Sequence, residues 1–462
     1  MKGTRRVKTL REQWKFVQKI ADEREKEELE WWNRLTLEEQ RMPKVELHAH
    51  LSGSLPLHVI AEVLKLQVEA QCPFEEDFTS LAFYKKGTEV FDQFPLLHKL
   101  LDQPECIRIA MQGLIKSFAR EGCVYLEVRT TPRENKFMSV EEYLQACIDE
   151  IECCKILCPT IKVFLIISFD VSAPLEDGQD VLRVIAKLQR KTNLILAIDI
   201  SGNPIHSSEE LVNIARPAKT LLGLGVTVHL GELSSMVDDA EAFLKFDLDR
   251  IGHGTFLHEK DNIVRLVTAK KLPLEICLSS NKATGTVPDM KNSHAKFWRK
   301  QGNPIAFCTD DQGIFPYCSI AREYKYAMDA LDLSMEDMIQ VNRDAMNMSF
   351  AKQFHATNLT EIYKHIELNY APYFEHVTNK QEMMIMNAAR KYDPDILPSE
   401  SLDPLAKYSG NQKKSIEKIM KNLKALSVVE KEPTAGTNLP TSSEANPPSS
   451  SEANLPTSSE ED

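Results

Sequence analysis

The sequence predicts an α/β fold, a (β/α)8 TIM barrel. Three observations carry this. Eight short runs rich in β-branched and other apolar residues lie between residues 44 and 311. Helical patterns separate them. Polar residues recur at the C-terminal ends of the runs. Strands buried on both faces that alternate with helices indicate a parallel sheet, and a closed barrel builds its site from the C-terminal ends of many strands. An open doubly wound sheet is the alternative, and the absence of a Gly-rich phosphate fingerprint after the first run argues against it.

Residues 1–42 are dense in charge and carry Trp14, Trp31 and Trp32. They predict a helical extension, a docking arm or a solvated helix, to which we assign no chemistry. The strand-like runs are 44–51 (KVELHAHL), 124–131 (VYLEVRTT), 162–170 (KVFLIISFD) and 194–202 (LILAIDISG). They continue at 225–232 (GVTVHLGE), 250–254 (RIGHG), 272–280 (LPLEICLSS) and 305–311 (IAFCTDD). Their polar ends are His48 and His50, Arg129 and Thr131, Asp170, Asp199, His229 and Glu232, His253, Ser279 and Ser280, and Asp310 and Asp311.

Between the runs, Ile107, Ala110, Met111, Leu114 and Phe118 fall on one face of a helix. Ser207 and Glu210 form a capping-box pattern before another. The stretch 52–123 is long for one connection. It holds a helical pattern (Leu57, Ile60, Ala61, Leu64) and an aromatic group (Phe74, Phe78, Phe83, Phe91, Phe94). It predicts a helical cap after strand 1 that covers the barrel mouth and excludes water; the alternative is an accessory layer at the side. The barrel domain is expected over 43–360 and helical segments over 361–430. The acidic Ser/Pro-rich tail, 431–462, cannot bury enough apolar surface to order itself.

Composition narrows the function classes. Lys and Arg number 56 against 68 Asp and Glu, a net charge of −12. Six of those acids (Glu432, Glu444, Glu452, Glu460, Glu461, Asp462) follow Lys431 with no further base. The body is therefore mildly acidic, which excludes a basic nucleic-acid footprint over the whole chain. No apolar run approaches the ~18 residues that cross a bilayer, and the N-terminus leads into charge. No nucleic-acid or membrane partner is expected. A cytoplasmic protein with reduced thiols is the default, and the ten Cys form no CxxC pair.

The chemistry concentrates at the strand ends. In His48-Ala-His50, residues i and i+2 point to one face of a strand, so two imidazoles converge in the barrel mouth. Alone this is weak, since two polar residues can sit in a hydrogen-bonded interior. His229 and Asp310 strengthen it: three imidazoles and one carboxylate suit a catalytic zinc with a position left for water. Glu232 follows His229 by three residues across Gly231, where the chain can turn. It is a candidate proton shuttle, with helix capping or pairing to Lys as the plainer reading. His253 sits between Gly252 and Gly254, a setting that lets a ligand come close. Asp310 and Asp311 diverge, so Asp310 is read as the metal ligand. Asp311 is read as the partner of the attacking water or of the base.

In this order, MPKVELHAHLSGSLP, DISGNP, VTVHLGE, DRIGHGTFL, LEICLSSN and FCTDDQGIF resemble the adenosine/AMP deaminase family over residues 43–350. The nearest likeness is to its adenosine deaminase-like branch, the N6-methyl-AMP deaminases. The resemblance implies a zinc-containing barrel with one Zn2+ per chain, held by His48, His50, His229 and Asp310. It implies Glu232 as the proton-transferring acid, with His253 and Asp311 positioning and activating the water. Gly202 matches the glycine beside the purine. His50, Ser52, His98, Thr130, Thr131, Pro132, Arg133, Asp170 and Asp311 match substrate-facing positions.

The implied reaction is hydrolytic deamination of N6-methyl-AMP to IMP and methylamine on a monomer. The alternatives are an adenosine deaminase, a binding barrel without turnover, and a metal-dependent phosphoesterase. Ser52 stands where adenosine deaminases carry an acid and the branch carries Asn; an uncharged residue there tolerates a 5′-phosphate. Arg133 and Lys136 are candidate sources of positive charge, with an ordinary solvated loop as the alternative. Val171-Ser-Ala-Pro174 and Gln312 depart from the branch's basic residues.

Overall fold

A computed structural model of the chain describes residues 8–72, 76–203, 209–238 and 240–351. Its centre is one eight-stranded parallel sheet in sequential order. The strands are β1 (Lys44–His50), β2 (Cys123–Thr130), β3 (Lys162–Asp170), β4 (Ile195–Ser201), β5 (Gly225–Leu230), β6 (Arg250–His253), β7 (Leu274–Ile276) and β8 (Ile305–Phe307). A parallel bridge between Ala49 and Asp310 joins the last strand's end to the first. This is the (β/α)8 barrel the sequence predicts.

The helices, in order, begin with α1 (Leu10–Trp32), α2 (Leu37–Arg41), α3 (Leu57–Glu69), α4 (Phe94–Leu100) and α5 (Pro104–Arg120). Next come α6 (Val140–Leu157), α7 (Leu175–Leu188), α8 (Val212–Leu222), α9 (Ala240–Lys245) and α10 (Asp261–Ala269). The last are α11 (Leu278–Thr284), α12 (Ala295–Gln301), α13 (Ile320–Leu331) and α14 (Met335–Met348). The apolar stripe of α5 is buried as its spacing predicts: Ile107, Ala110, Met111, Leu114 and Phe118 all lie inside.

The N-terminal extension is helical, but α1 is not simply solvated. Thr9 and Glu12 cap it reciprocally, and Gln13, Val17 and Ala21 are buried. Two short 3-10 segments, Phe78–Ala82 and Gly87–Gln93, lead into α4 and form the cap.

The seventh run ends earlier than its composition suggests. Only Leu274–Ile276 are strand; Ser279 and Ser280 lie in α11. The buried carboxyl group of Glu323 accepts the N–H groups of Leu278 at 3.0 Å and Ser279 at 3.1 Å. Carboxyl oxygens at a helix N-terminus satisfy donors that have no partner within the helix, so the chain turns helical there. The Ser207 capping box, Phe74, and the segments 361–430 and 431–462 lie outside the described residues. No helix among the described residues is long and apolar enough to cross a membrane.

One irregularity places the site. Glu46 pairs with Leu126 and Ala49 with Val128, so three steps on β1 match two on β2. This extra residue is a bulge. It lets Leu47 pack with Tyr125 and Ile166 inside the barrel while the next residue, His48, also faces inward.

The floor of the barrel is closed by the chain after α14. Phe350 donates its N–H to Glu127 Oε1 at 2.8 Å, and the Arg250 guanidinium lies 3.8 Å from the Phe350 ring centroid.

Candidate active site

Four donor atoms from two strands, β1 and β5, and the end of β8 converge at the C-terminal mouth. His48 Nε2 lies 3.1 Å from His229 Nε2, and His50 Nε2 lies 3.3 Å from the same atom. Asp310 Oδ1 is 3.3 Å from both His48 Nε2 and His50 Nε2. A tetrahedral set with metal–nitrogen bonds of ~2.0–2.1 Å spaces its donors about 3.3 Å apart.

Two of the outer ring nitrogens are engaged. His48 Nδ1 donates to Glu275 Oε2 at 2.7 Å, and His229 Nδ1 donates to Asp199 Oδ1 at 3.0 Å. That fixes the tautomer in which the Nε2 lone pairs face one another. Two lone pairs 3.1 Å apart repel, and a cation between them removes the conflict. Burial pushes His229 down to about 3 in spite of Asp199, so the ring is neutral at pH 7. Burial alone would raise Asp310, but His48 and His50 hold it well below the usual carboxylate range. The donor set fits a metal.

Beneath the histidines lies a fully buried charge network. Arg129 donates to Glu275 Oε2 at 2.7 Å and to the Leu47 carbonyl at 2.8 Å. Arg250 donates to Glu275 Oε1 and Glu127 Oε2, both at 2.7 Å. Thr227 adds a bond to Glu275 at 3.1 Å. Charges buried at this depth need partners: Arg250 and Glu275 have hydrogen-bonded ones, and Arg129 NH1 faces Asp199 Oδ1 at 3.3 Å. Glu127, Arg250 and Glu275 were not singled out from the sequence. Their signal was available: Glu127 and Glu275 are ionisable residues inside mostly apolar strands, and Arg250 opens β6.

Backbone strain gathers at the same place. His253 and Asp310 are non-glycine residues with φ of +58° and +62°, a cost of roughly 1–3 kcal/mol each that the surroundings must offset. Asp310 is held by N–H donation to the His48 carbonyl at 2.8 Å. Its own carbonyl accepts from His50 N at 3.1 Å and Ser54 Oγ at 2.8 Å. The His253 carbonyl accepts from His294 Nε2 at 2.8 Å. His253 Nε2 is 3.9 Å from Asp310 Oδ2.

Above the donors opens a cavity of about 360 Å³. His50, Ser52, His98, Thr131, Arg133, Asp170, Gly202, His229, Glu232, His253, Asp310 and Asp311 all line it. The cap contributes Val90, Phe91, Phe94 and Pro95, so the segment after β1 covers the mouth. Thr130 and Pro132 are not among the lining residues; Thr130 Oγ1 bonds instead with the Tyr143 hydroxyl at 2.7 Å. Ser172, Asn203 and Phe315 line the cavity without having been foreseen.

Glu232 is buried, and burial raises its carboxyl pKa, the direction a proton donor needs. Burial and the charge of Asp310 raise Asp311 well above the usual range. Its Oδ1 is buried without a hydrogen-bond partner. Asp311 owes its position to Gly53, where a Cβ would stand 1.8 Å from Oδ1. Gly202 (φ +135°) is equally constrained, since a Cβ there would meet Asp170 Oδ1 at 2.8 Å. At another part of the wall, Arg133 NH2 is 3.9 Å from Asp170 Oδ2.

The family model for adenosine deaminase matches residues 43–365. The chain belongs to the adenosine deaminase family. This bears out the resemblance read from its motifs and places the chain among deaminases, which are hydrolases. An adenosine deaminase-like protein of Caenorhabditis elegans is 43% identical over 333 residues, spanning 71% of this chain and 85% of that one. An N6-methyl-AMP deaminase of Danio rerio is 32% identical over 329 residues, spanning 68% and 92%. The crystal structure of arabidopsis ADAL complexed with IMP superposes with a TM-score of 0.64 at 27% identity, covering 72% of this chain and 98% of that one.

Proposed function

We propose that this adenosine deaminase family member is a zinc-dependent aminohydrolase of N6-substituted adenine mononucleotides, converting N6-methyl-AMP to IMP and methylamine. One observation carries the reading: a single cavity joins the His48–His50–His229–Asp310 donor set and buried Glu232 to an uncharged Ser52 and the guanidinium of Arg133. The likeness to N6-methyl-AMP deaminases and to an IMP-bound neighbour supports it.

His48, His50, His229 and Asp310 would hold the zinc ion. Bound there, zinc supplies Lewis acidity, lowering the pKa of a water toward 7. The chain's own groups do the rest. Glu232, whose carboxyl pKa burial raises, donates a proton to the purine ring nitrogen beside C6. That withdraws electrons from C6 and opens it to attack. His253 and Asp311 orient the water, and its first proton passes to one of them. The new C6–O bond forms, the C6–N bond breaks as that proton passes to the leaving amine, and the second proton of the water returns to Glu232 as the C6 carbonyl forms. A Glu that binds no metal and shuttles protons is the general logic of zinc deaminases. Phe91, Phe94 and Val90 exclude bulk water from the intermediate. Arg133 attracts the 5′-phosphate.

A second reading, adenosine deamination, is favoured by Asp170, which lies 3.9 Å from Arg133 and offsets its charge. Amine release from N6-methyl-AMP, AMP and adenosine, with metal analysis of the same preparation, decides. Turnover of N6-methyl-AMP with adenosine untouched supports the proposal. Turnover of adenosine alone replaces it with the second reading. Phosphate release in place of amine, or no turnover by metal-loaded protein, rejects both.

A further inference from the structure

The match to the adenosine deaminase family begins at residue 43. Helix α1 precedes it and carries none of the site residues, yet α1 is tied to both walls of the mouth. On one side it grips the cap. Gln13, 1% exposed, donates through Nε2 to the Glu76 carbonyl at 2.9 Å and accepts at Oε1 from Phe78 N at 2.7 Å. Arg24 NH2 donates to the Ala82 carbonyl at 2.6 Å, and its guanidinium stacks 4.0 Å from the Tyr84 ring centroid. Phe16 meets Phe83 with ring centroids 5.9 Å apart.

The grip passes inward. The Phe83 carbonyl accepts from buried Gln93 Nε2 at 3.4 Å, and Phe94, next in sequence, lines the cavity. On the other side α1 holds the first turn of α13, into which the loop after β8 runs. Glu28 accepts from Arg322 Nε at 3.2 Å and NH2 at 3.0 Å, and the same guanidinium lies 4.0 Å from the Trp31 ring centroid. Arg322 opens α13, a few residues beyond Phe315 in the cavity wall. Tyr84 and Tyr317 close the gap between the two walls, centroids 6.4 Å apart.

We infer that α1 is a splint for the nucleotide site: Gln13 and Arg24 are positioning residues that hold the cap against the β8–α13 loop and so set the affinity of the cavity for its ligand. The cap segment 78–93 is built of 3-10 turns, which are poor at holding a geometry alone. A segment with few internal bonds takes its position from what it leans on, and this one leans on α1. The splint touches no reacting atom, so it acts on binding rather than on the chemical step.

The test uses the full-length, metal-loaded chain with Arg24→Ala and Gln13→Leu. KM for N6-methyl-AMP is expected to rise about tenfold, the scale of one lost charged hydrogen bond, with kcat within about twofold. IMP binding by calorimetry should weaken by the same factor. Amide hydrogen exchange should accelerate over residues 76–98 while the barrel strands keep their protection, and Arg24→Lys should restore KM.

Unchanged KM, IMP affinity and exchange in both variants would overturn the inference. So would acceleration spread evenly over the strands, which marks a merely structural role. Arg24 is the less buried of the two and carries the test if Gln13→Leu does not fold. The turnover arm rests on the substrate proposed above and the exchange arm does not, so a failure of that proposal is distinguishable from a failure of this one.

Discussion

Glu275 Oε2 lies 2.7 Å from His48 Nδ1 and shares its other oxygen with Arg250, also at 2.7 Å. One carboxylate thus aims an imidazole of the candidate metal site and anchors the charge network below it. Replacing it with Gln keeps the shape and removes the charge. Glu275→Gln should weaken metal binding by about 10–100-fold and lower Tm, because Arg129 and Arg250 lose a counter-charge. Chelator competition measures the first; metal retention equal to wild type would show that Glu275 does not tune His48.

Glu232 lines the cavity beside the donor set without belonging to it. Glu232→Gln should reduce kcat by at least about 10²–10⁴-fold, the range of general acid–base catalysis, with metal content unchanged. Substantial residual turnover would remove Glu232 from the proton path.

The packing of Gly53 on Asp311 makes a one-carbon test. A Cβ 1.8 Å from Asp311 Oδ1 forces that carboxylate to move. Gly53→Ala should retain the circular dichroism spectrum and lose about 10²-fold or more in kcat, as misplacement by an ångström does. Near-normal kcat would mean that Asp311's position is not critical.

If Arg133 attracts the 5′-phosphate, Arg133→Ala should raise KM for N6-methyl-AMP by roughly 10–100-fold, the worth of a charged hydrogen bond. Any slow activity on unphosphorylated nucleosides should not change. Equal effects on both substrates would assign Arg133 to the wall rather than to the phosphate.

Stability should respond to pH through Glu323. Burial pushes its carboxyl from 4.5 up to about 8. Between those values the folded chain holds a proton that the unfolded chain has released. Stability from this group is therefore full below pH 4.5 and declines as pH rises to about 8. Glu323→Gln removes the titration. The Tm of wild type minus that of the variant should shrink from pH 5 to pH 8, and a difference independent of pH would contradict the assignment.

Much of this architecture was legible because barrels repeat one rule: apolar strand, polar end, helix. The His48–His50–His229–Asp310 set followed from that rule and from the spacing of HxH. What escaped has physical causes. The bulge at Leu47–His48 changes which side chains face inward, and nothing in KVELHAHL announces it. Ser279 and Ser280 looked like a strand end because Glu323, 44 residues beyond Ser279, supplies the cap that makes them helical. Glu275 and Arg250 lie away from the C-terminal strand ends where the site gathers, Glu275 inside β7 and Arg250 at the start of β6. Charge buried at that depth is tolerable only when another strand answers it, a partnership that a single run of sequence does not display.

Asp310 does two jobs at once: its backbone pairs with β1 through Ala49, and its carboxylate meets His48 and His50. Ring closure and assembly of the reaction centre are therefore one event. A nascent chain lacking its eighth strand has three imidazoles and no fourth donor, and it should be inert rather than weakly active. Catalysis in this protein becomes an all-or-none readout of a completed circle.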